Sequence, residues 1–185
     1  LVNEIRYHGQ ILDYVHSAED LLIIDLPAVV PKDQLDSITI KYEGIPESYG
    51  FGPFLQGYHQ NIPIIWSLSE PYGAKNWWPC KQDLSDKIDS IDIFVQTPVE
   101  YKVGSNGILK DVKQEGDFSV HHWKHRYPIP AYLVSIAVTN YAEFSDYVLL
   151  SNGDSVQVLN YVYPESLESA KNALKSTVEQ MELFN

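Results

Sequence analysis

The chain has 185 residues, of which 44% are hydrophobic and 21% are charged, proportions typical of a single soluble globular domain with a sizeable core. Its formal net charge of -12 argues against binding to nucleic acids and to anionic membrane surfaces, because like charges repel. The single cysteine excludes an internal disulfide, and the compartment stays undecided, with periplasmic and secreted locations both open.

Short segments rich in Ile, Val, Tyr and Thr, bounded by Gly, Pro, Asn or Asp, predict β-strands in the first half of the chain. The most apolar of them is interrupted by Asp25 and Pro27 and is too short to span a bilayer, so we expect no membrane insertion. Residues 44–61, rich in Gly, Pro and Tyr, show no period and are predicted as a loop. The predicted strands lie near residues 4–8, 11–16, 20–26, 36–43, 62–67 and 91–97.

Two Asn-Gly pairs in the second half, Asn106-Gly107 and Asn152-Gly153, predict hairpin turns between strands. Further strands are predicted near residues 117–126, 131–139, 142–150 and 155–163. Because no helices alternate with these strands, the pattern favours an all-β antiparallel sandwich over a parallel α/β fold.

The spacing of apolar residues changes at Pro164, where the sequence predicts a single amphipathic helix. Apolar residues then recur every three or four positions, at Leu167, Ala170, Leu174, Val178 and Met181. Such a helix needs a partner for its apolar face. It either docks on the sandwich or begins a further domain.

Residues 67–87, which we call the aromatic loop, are the segment least typical of a β-sheet protein. The loop has no regular period and contains two prolines, the adjacent Trp77 and Trp78, and Cys80. Long loops in compact domains are usually functional or disordered, and large aromatic side chains argue against disorder. We therefore expect function here.

Other residues give only weak evidence for a catalytic or metal site. The histidines at 121, 122 and 125 lie in a strand pattern, with His121 and His125 on one face and His122 on the other, which is too extended for a ready zinc site. Cys80 has no histidine close in sequence and is interpreted as a small buried hydrophobe. We assign no catalytic residue and no metal ligand to this chain.

The aromatic loop, S-L-S-E-P-Y-G-A-K-N-W-W-P-C, resembles a segment of the gluzincin zinc aminopeptidases, the aminopeptidase N and leukotriene-hydrolase family. The family pattern is T-Q-x-E-P-x-x-A-R-x-x-F-P-C-x-D-x-P. Matches outside the loop include the segment I-T-I-K-Y-E-G, a Ser-Asn pair and P-A-Y-L. The positions that match within the loop are Glu70, Pro71, Ala74, Pro79 and Cys80.

The resemblance implies a saddle-like N-terminal β-domain over residues 1–163, followed at 164–185 by the first helix of a zinc-containing catalytic domain. The family's zinc motif H-E-x-x-H and its G-A-M-E-N motif are not in this sequence. We therefore expect a trimmed piece of a longer protein, inactive by itself. Its expected partners are its own catalytic domain and the N-terminus of a peptide substrate.

Glu70 is the residue whose role the resemblance implies, namely binding the free α-amine of a substrate. Leu68 and Ser69, which precede it in the motif, are assigned to substrate binding with it. Leu68 replaces the usual glutamine and makes an apolar first subsite an open alternative. Gln82 and Leu84 depart from the family's Asp and Pro, which leaves the local turn in question.

A different class of protein stays open from the residues alone. In that reading the chain is a non-catalytic β-sandwich binding module, in which Tyr72, Trp77 and Trp78 stack on sugar rings or on a protein partner. Adjacent tryptophans more often anchor a loop to a core.

Overall fold

The computed structural model describes residues 1–46 and 52–184, and these residues form antiparallel sheets followed by short helices. The strands are β1 (Val2–Tyr7), β2 (Gln10–Ile11), β3 (Tyr14–His16), β4 (Leu22–Ile24), β5 (Ile38–Tyr42), β6 (Phe54–His59), β7 (Ile62–Ser67), β8 (Ile91–Pro98), β9 (Lys102–Ser105), β10 (Ile108–Glu115), β11 (Phe118–His125), β12 (Ile136–Thr139), β13 (Ala142–Leu149) and β14 (Ser155–Val162). The helices are α1 (Leu167–Ala173) and α2 (Ser176–Leu183), with 3-10 turns at Ala74–Asn76, Ala131–Leu133 and Pro164–Ser166.

Two sheets form the sandwich. One has four strands in the order β6-β7-β12-β9, and the other has three in the order β10-β11-β8. Smaller sheets, β2-β1-β5, β3-β4 and β13-β14, flank them. Every strand pair formed by the described residues is antiparallel, which confirms the predicted all-β fold with a helical C-terminal segment.

The core lies between the two larger sheets, at Val103 on β9, Trp123 on β11 and Val138 on β12. Strand alternation along β11 directs Trp123 inward and His122 to the opposite, outer face. The Trp123 indole Nε1 donates a hydrogen bond to the Val103 carbonyl over 3.1 Å, so its one polar atom is satisfied inside the core. This contact joins the two sheets.

The prediction of a structureless loop over residues 44–61 is wrong from Phe54 onward. Residues 54–59 form β6, which pairs with β7 through the turn residues Gln60 and Asn61, both with positive φ (48° and 68°). A two-residue turn of this kind normally contains glycine, and Gly57 inside the strand resembles loop sequence. The part of the prediction that covers residues 47–51 lies outside the described residues.

The two Asn-Gly predictions have opposite outcomes. Asn152-Gly153 is confirmed as the turn between β13 and β14, closed by a hydrogen bond from Leu150 N to Asp154 O. Asn106-Gly107 does not form a hairpin, because β9 pairs with β12 whereas β10 pairs with β11. The chain crosses there from one sheet of the sandwich to the other. Gly107 (φ 89°) packs so closely that a Cβ would lie 2.1 Å from the Lys124 carbonyl oxygen.

Some of the other predicted elements are interrupted. The strand predicted at 11–16 is split between β2 and β3, and the one predicted at 131–139 begins as a 3-10 turn and becomes β12. The single predicted helix is interrupted at Leu174 and Lys175, and both pieces contact β13. The division into units 1–163 and 164–185 stays a prediction. Within the described residues, the helices are too short and too polar to cross a membrane.

We expect Val103→Ala to lower the free energy of unfolding by about 2 kcal/mol or more, because it removes two buried methyl groups and leaves a cavity beside Trp123. Urea denaturation followed by tryptophan fluorescence measures this change. Val99→Ala, at a valine that is 45% exposed, is the matched control and should change stability little. Equal effects of the two substitutions would contradict the assigned core.

Candidate functional site

The aromatic loop folds back on itself immediately after β7. Leu68 N donates to the Pro53 carbonyl over 3.1 Å, and Gly73 N donates to the Ser69 carbonyl over 2.8 Å. A 3-10 turn follows at Ala74–Asn76, with Ala74 buried beneath it. These backbone hydrogen bonds make the first part of the loop a compact, ordered structure.

Ser69 holds this structure to the sandwich. Its side chain is only 3% exposed, donates a hydrogen bond to the Pro53 carbonyl and accepts one from the Trp77 indole Nε1 over 2.9 Å. Trp77 also packs against Phe54 and Trp78, at ring-centroid distances of 5.6 and 6.0 Å. The tryptophans therefore anchor the loop, and the Ser69 hydroxyl is engaged within the protein.

Glu70 lies at the surface directly after this anchor and is joined to Pro71 by a cis peptide bond. Its side chain lines a groove of about 600 Å³ between residues 67–70 and 125–135, which we call the Glu70 groove. Among the described residues, no side chain or backbone group pairs with the Glu70 carboxylate. Leu68, 43% exposed, lines the same groove.

The opposite wall of the Glu70 groove is held in place by three separate tethers. Ile129 exchanges both backbone hydrogen bonds with Ile88, each 2.9 Å long. The Asn106 side chain donates to the Leu133 carbonyl over 2.9 Å and accepts from Ser135 N over 2.7 Å. Finally, Ile136 N donates to the hydroxyl of Ser67, at the start of the loop. The two walls are thus tied directly to each other.

The model for the peptidase M1 N-terminal domain matches residues 4–133, a range that includes the aromatic loop and most of the opposite wall. The chain belongs to this family. The resemblance seen in the loop motif is thereby confirmed, over more than half of the sequence.

Solved structures share the fold of this M1 N-terminal domain. The M1 zinc metallopeptidase from Deinococcus radiodurans aligns with a TM-score of 0.75 and 21% identity, covering 89% of this chain and 38% of that one. A variant of the same enzyme with a bound Tyr-Ser-Ala substrate aligns at 0.76 and 19% identity, with the same coverage. A two-domain M1 zinc metallopeptidase variant bound to L-arginine gives 0.74 and 20%, covering 95% and 43%.

The chain therefore spans less than half the length of these enzymes. A search of curated proteins returned no match.

The histidines of the M1 N-terminal domain are dispersed as the strand pattern predicted. His121 points into the sandwich, where burial, with a smaller contribution from Lys102, lowers its pKa. His122 stacks on Phe94 at 4.2 Å on the outer face, and His125 lines the Glu70 groove. Among residues 1–46 and 52–184, no group of three or more His, Cys, Asp or Glu side chains is arranged to hold a metal ion.

The sequence motif identified only one wall of the groove as a site. Asn106 and residues 130–133 were visible as matches to the family pattern, yet nothing in their spacing placed them beside Glu70. The signal that could have joined them is Asn106 at the crossing between the two sheets, because a half-buried side-chain amide usually finds hydrogen-bond partners.

Cys80 lies in a second, larger groove of about 1460 Å³, which is lined also by Tyr42, Tyr72 and Trp78 and does not include Glu70. Burial raises the pKa of the Cys80 thiol to about 11. The reactive thiolate is therefore scarce at neutral pH, although Cys80 is half-buried in a groove and not fully buried as the sequence interpretation had it.

We expect Gly73→Ala to destabilise the domain by about 1–3 kcal/mol, because the added Cβ would lie 2.7 Å from the Pro53 Cβ and 3.3 Å from Ser69 backbone atoms. The midpoint of urea unfolding reports the change. Gly57→Ala is the control, since its Cβ would meet nothing closer than 3.9 Å. A Gly73→Ala domain as stable as the Gly57→Ala domain would show that the loop is loosely packed.

We expect iodoacetamide to alkylate Cys80 at least about tenfold more slowly in the folded domain than in urea at pH 8, because burial raises the pKa of the thiol to about 11 and leaves less thiolate to react. Mass spectrometry of timed samples gives the two rates. The free thiol of glutathione, added to both reactions, corrects for effects of urea on the reagent. Comparable rates in the two states would show that the thiol is accessible and ionised.

Proposed function

We propose that this domain caps the substrate site of a zinc-dependent aminopeptidase and that Glu70 binds the free α-amino group of the peptide substrate. Membership in the M1 N-terminal family and the shared fold with M1 zinc metallopeptidases support this proposal. The observation that carries it is an exposed carboxylate, without an intramolecular partner among the described residues, on the rim of a groove.

The chemistry of the amine favours a carboxylate at this position. An α-amino group has a pKa near 8 and is mostly protonated at neutral pH. A hydrogen bond between an ammonium group and a carboxylate is charge-assisted and about twice as strong as a neutral one. A peptide blocked at its N-terminus would lose this interaction, so Glu70 would select free N-termini.

A rigid loop would hold the amino group of the substrate at a fixed position. Ser69, immediately before Glu70, is buried and hydrogen-bonded on both sides of its hydroxyl, so the carboxylate is held by a fixed backbone. An ammonium group bound there places only the first peptide bond at a set distance from the loop. Removal of a single N-terminal residue follows from that geometry. Leu68 would contact the side chain of that first residue, and Ser69 would contribute by holding Glu70.

Zinc belongs, in this proposal, to the catalytic domain. The described residues contain no metal-ligand cluster, so they do not fit a zinc ion, and the isolated domain would be inactive. When bound by the catalytic domain, zinc would activate water and polarise the peptide carbonyl. Residues 164–185 would form the first helical part of that domain, following the β-domain of residues 1–163.

The alternative of a sugar- or protein-binding module has less support. Trp77 donates its indole N–H to the buried Ser69 hydroxyl and packs on Phe54, so its ring is used within the loop. Tyr72, 62% exposed, is the most exposed of the three aromatic residues and can stack on a ligand.

In the full-length protein, we expect Glu70→Ala to lower kcat/KM for peptides with a free N-terminus at least tenfold, equivalent to about 1.4 kcal/mol, because the ammonium group loses its counter-charge. Hydrolysis of a leucyl chromogenic substrate measures the loss. Glu70→Gln keeps the size of the side chain and removes its charge. It should lose most of the activity that Glu70→Ala loses.

Glu100→Gln, at an exposed acid between β8 and β9, removes the same charge outside the Glu70 groove and should keep full activity. Unchanged kinetics of both Glu70 variants would remove the assigned role. Binding of a glycan or a protein partner that depends on Tyr72, with no peptidase activity in the full-length protein, would favour the module instead.

A further inference from the structure

The Glu70 groove combines one carboxylate with several apolar and aromatic side chains. Apart from Glu70 and His125, its described lining includes no ionisable side chain except tyrosines. No lysine, arginine or second carboxylate is present in that lining. The apolar contacts come from both walls, with Leu68 on the loop side and Leu133 on the opposite side.

Leu133 is presented to this groove by a fixed backbone. Its N–H donates to the Pro130 carbonyl over 3.0 Å, and its carbonyl accepts from Asn106 Nδ2 over 2.9 Å. The next residue but one, Ser135, is held by the same Asn106 amide. The side chain is nevertheless 40% exposed, so its exposure does not result from a loose segment.

An exposed apolar side chain on a fixed backbone is suited to contact a ligand, because the backbone does not have to be ordered on binding. Leu68 meets the same description on the other wall, two residues before the carboxylate. A ligand that complements these features has one cationic group for Glu70 and an apolar group for the two leucines.

We infer that the Glu70 groove selects peptides whose first residue has a bulky apolar side chain, and that Leu133 is a specificity-determining residue for that side chain. The inference rests on the proposed function, in which Glu70 binds the amine. An acidic first residue would be repelled by Glu70. A basic one would bring a second cation into a wall that offers no second carboxylate, and it would lose hydration without gaining a partner.

The test compares leucyl and alanyl p-nitroanilides as substrates of the full-length protein, with arginyl p-nitroanilide as a third. The wild-type protein should prefer the leucyl substrate. In Leu133→Ala the ratio of kcat/KM for leucyl over alanyl should fall about tenfold, because the lost contact involves only the larger side chain. Leu133→Gln, similar in size but polar, should lower the ratio as well, whereas Leu133→Met should keep it.

Leu149→Ala is the matched control, since Leu149 lies on β13 outside the groove and is 66% exposed. It should leave the ratio unchanged. If Leu133→Ala does not fold, as judged by its thermal midpoint, the Gln variant provides the same comparison.

Two outcomes overturn the inference: a preference of the wild-type protein for the arginyl substrate, or Leu133 variants that lower all three activities equally. The second result would place Leu133 against another part of the protein. These outcomes differ from failure of the proposed function, in which Glu70→Ala and Glu70→Gln would behave as wild type. Loss of activity in the Glu70 variants with an unchanged leucyl-to-alanyl ratio in the Leu133 variants would remove this inference alone.

Discussion

The hydrogen bond between the Trp77 indole and the buried hydroxyl of Ser69 is the constraint on which the arrangement of the groove depends. A buried hydroxyl without partners is costly, so Ser69 stays where Trp77 and the Pro53 carbonyl can both reach it. Because Glu70 is the next residue, its backbone position is set by a contact inside the protein, while its carboxylate stays in solvent. Burial of one side chain and exposure of its neighbour are two results of the same local structure.

The features that sequence analysis predicted correctly are those that depend on short stretches of chain. Alternation of apolar residues identified β8 and β11, and the switch of period at Pro164 identified the helical segment. The motif around Glu70 led to the family directly. These signals can be read from the sequence because side-chain periodicity and turn preferences depend on only a few neighbouring residues.

The incorrect predictions concern features that depend on contacts between distant segments. β6 was missed because its turn uses Gln60 and Asn61, both with positive φ, in place of glycine, and the strand is recognised by its pairing with β7. The Asn106-Gly107 hairpin failed because the two flanking strands find better partners in different sheets. The second wall of the groove was missed for the same reason. No local sequence pattern predicts that residues 125–135 lie beside a loop about sixty residues earlier in the chain.

Asn106 stands where the chain passes from one sheet to the other, and its amide also fixes Leu133 and Ser135. A shift of one sheet of the sandwich relative to its neighbour would therefore move the far wall of the groove along with it. The width of the groove is in this way linked to the packing of the hydrophobic core. Substitutions in that core could therefore change which ligands bind, without changing any residue that contacts the ligand.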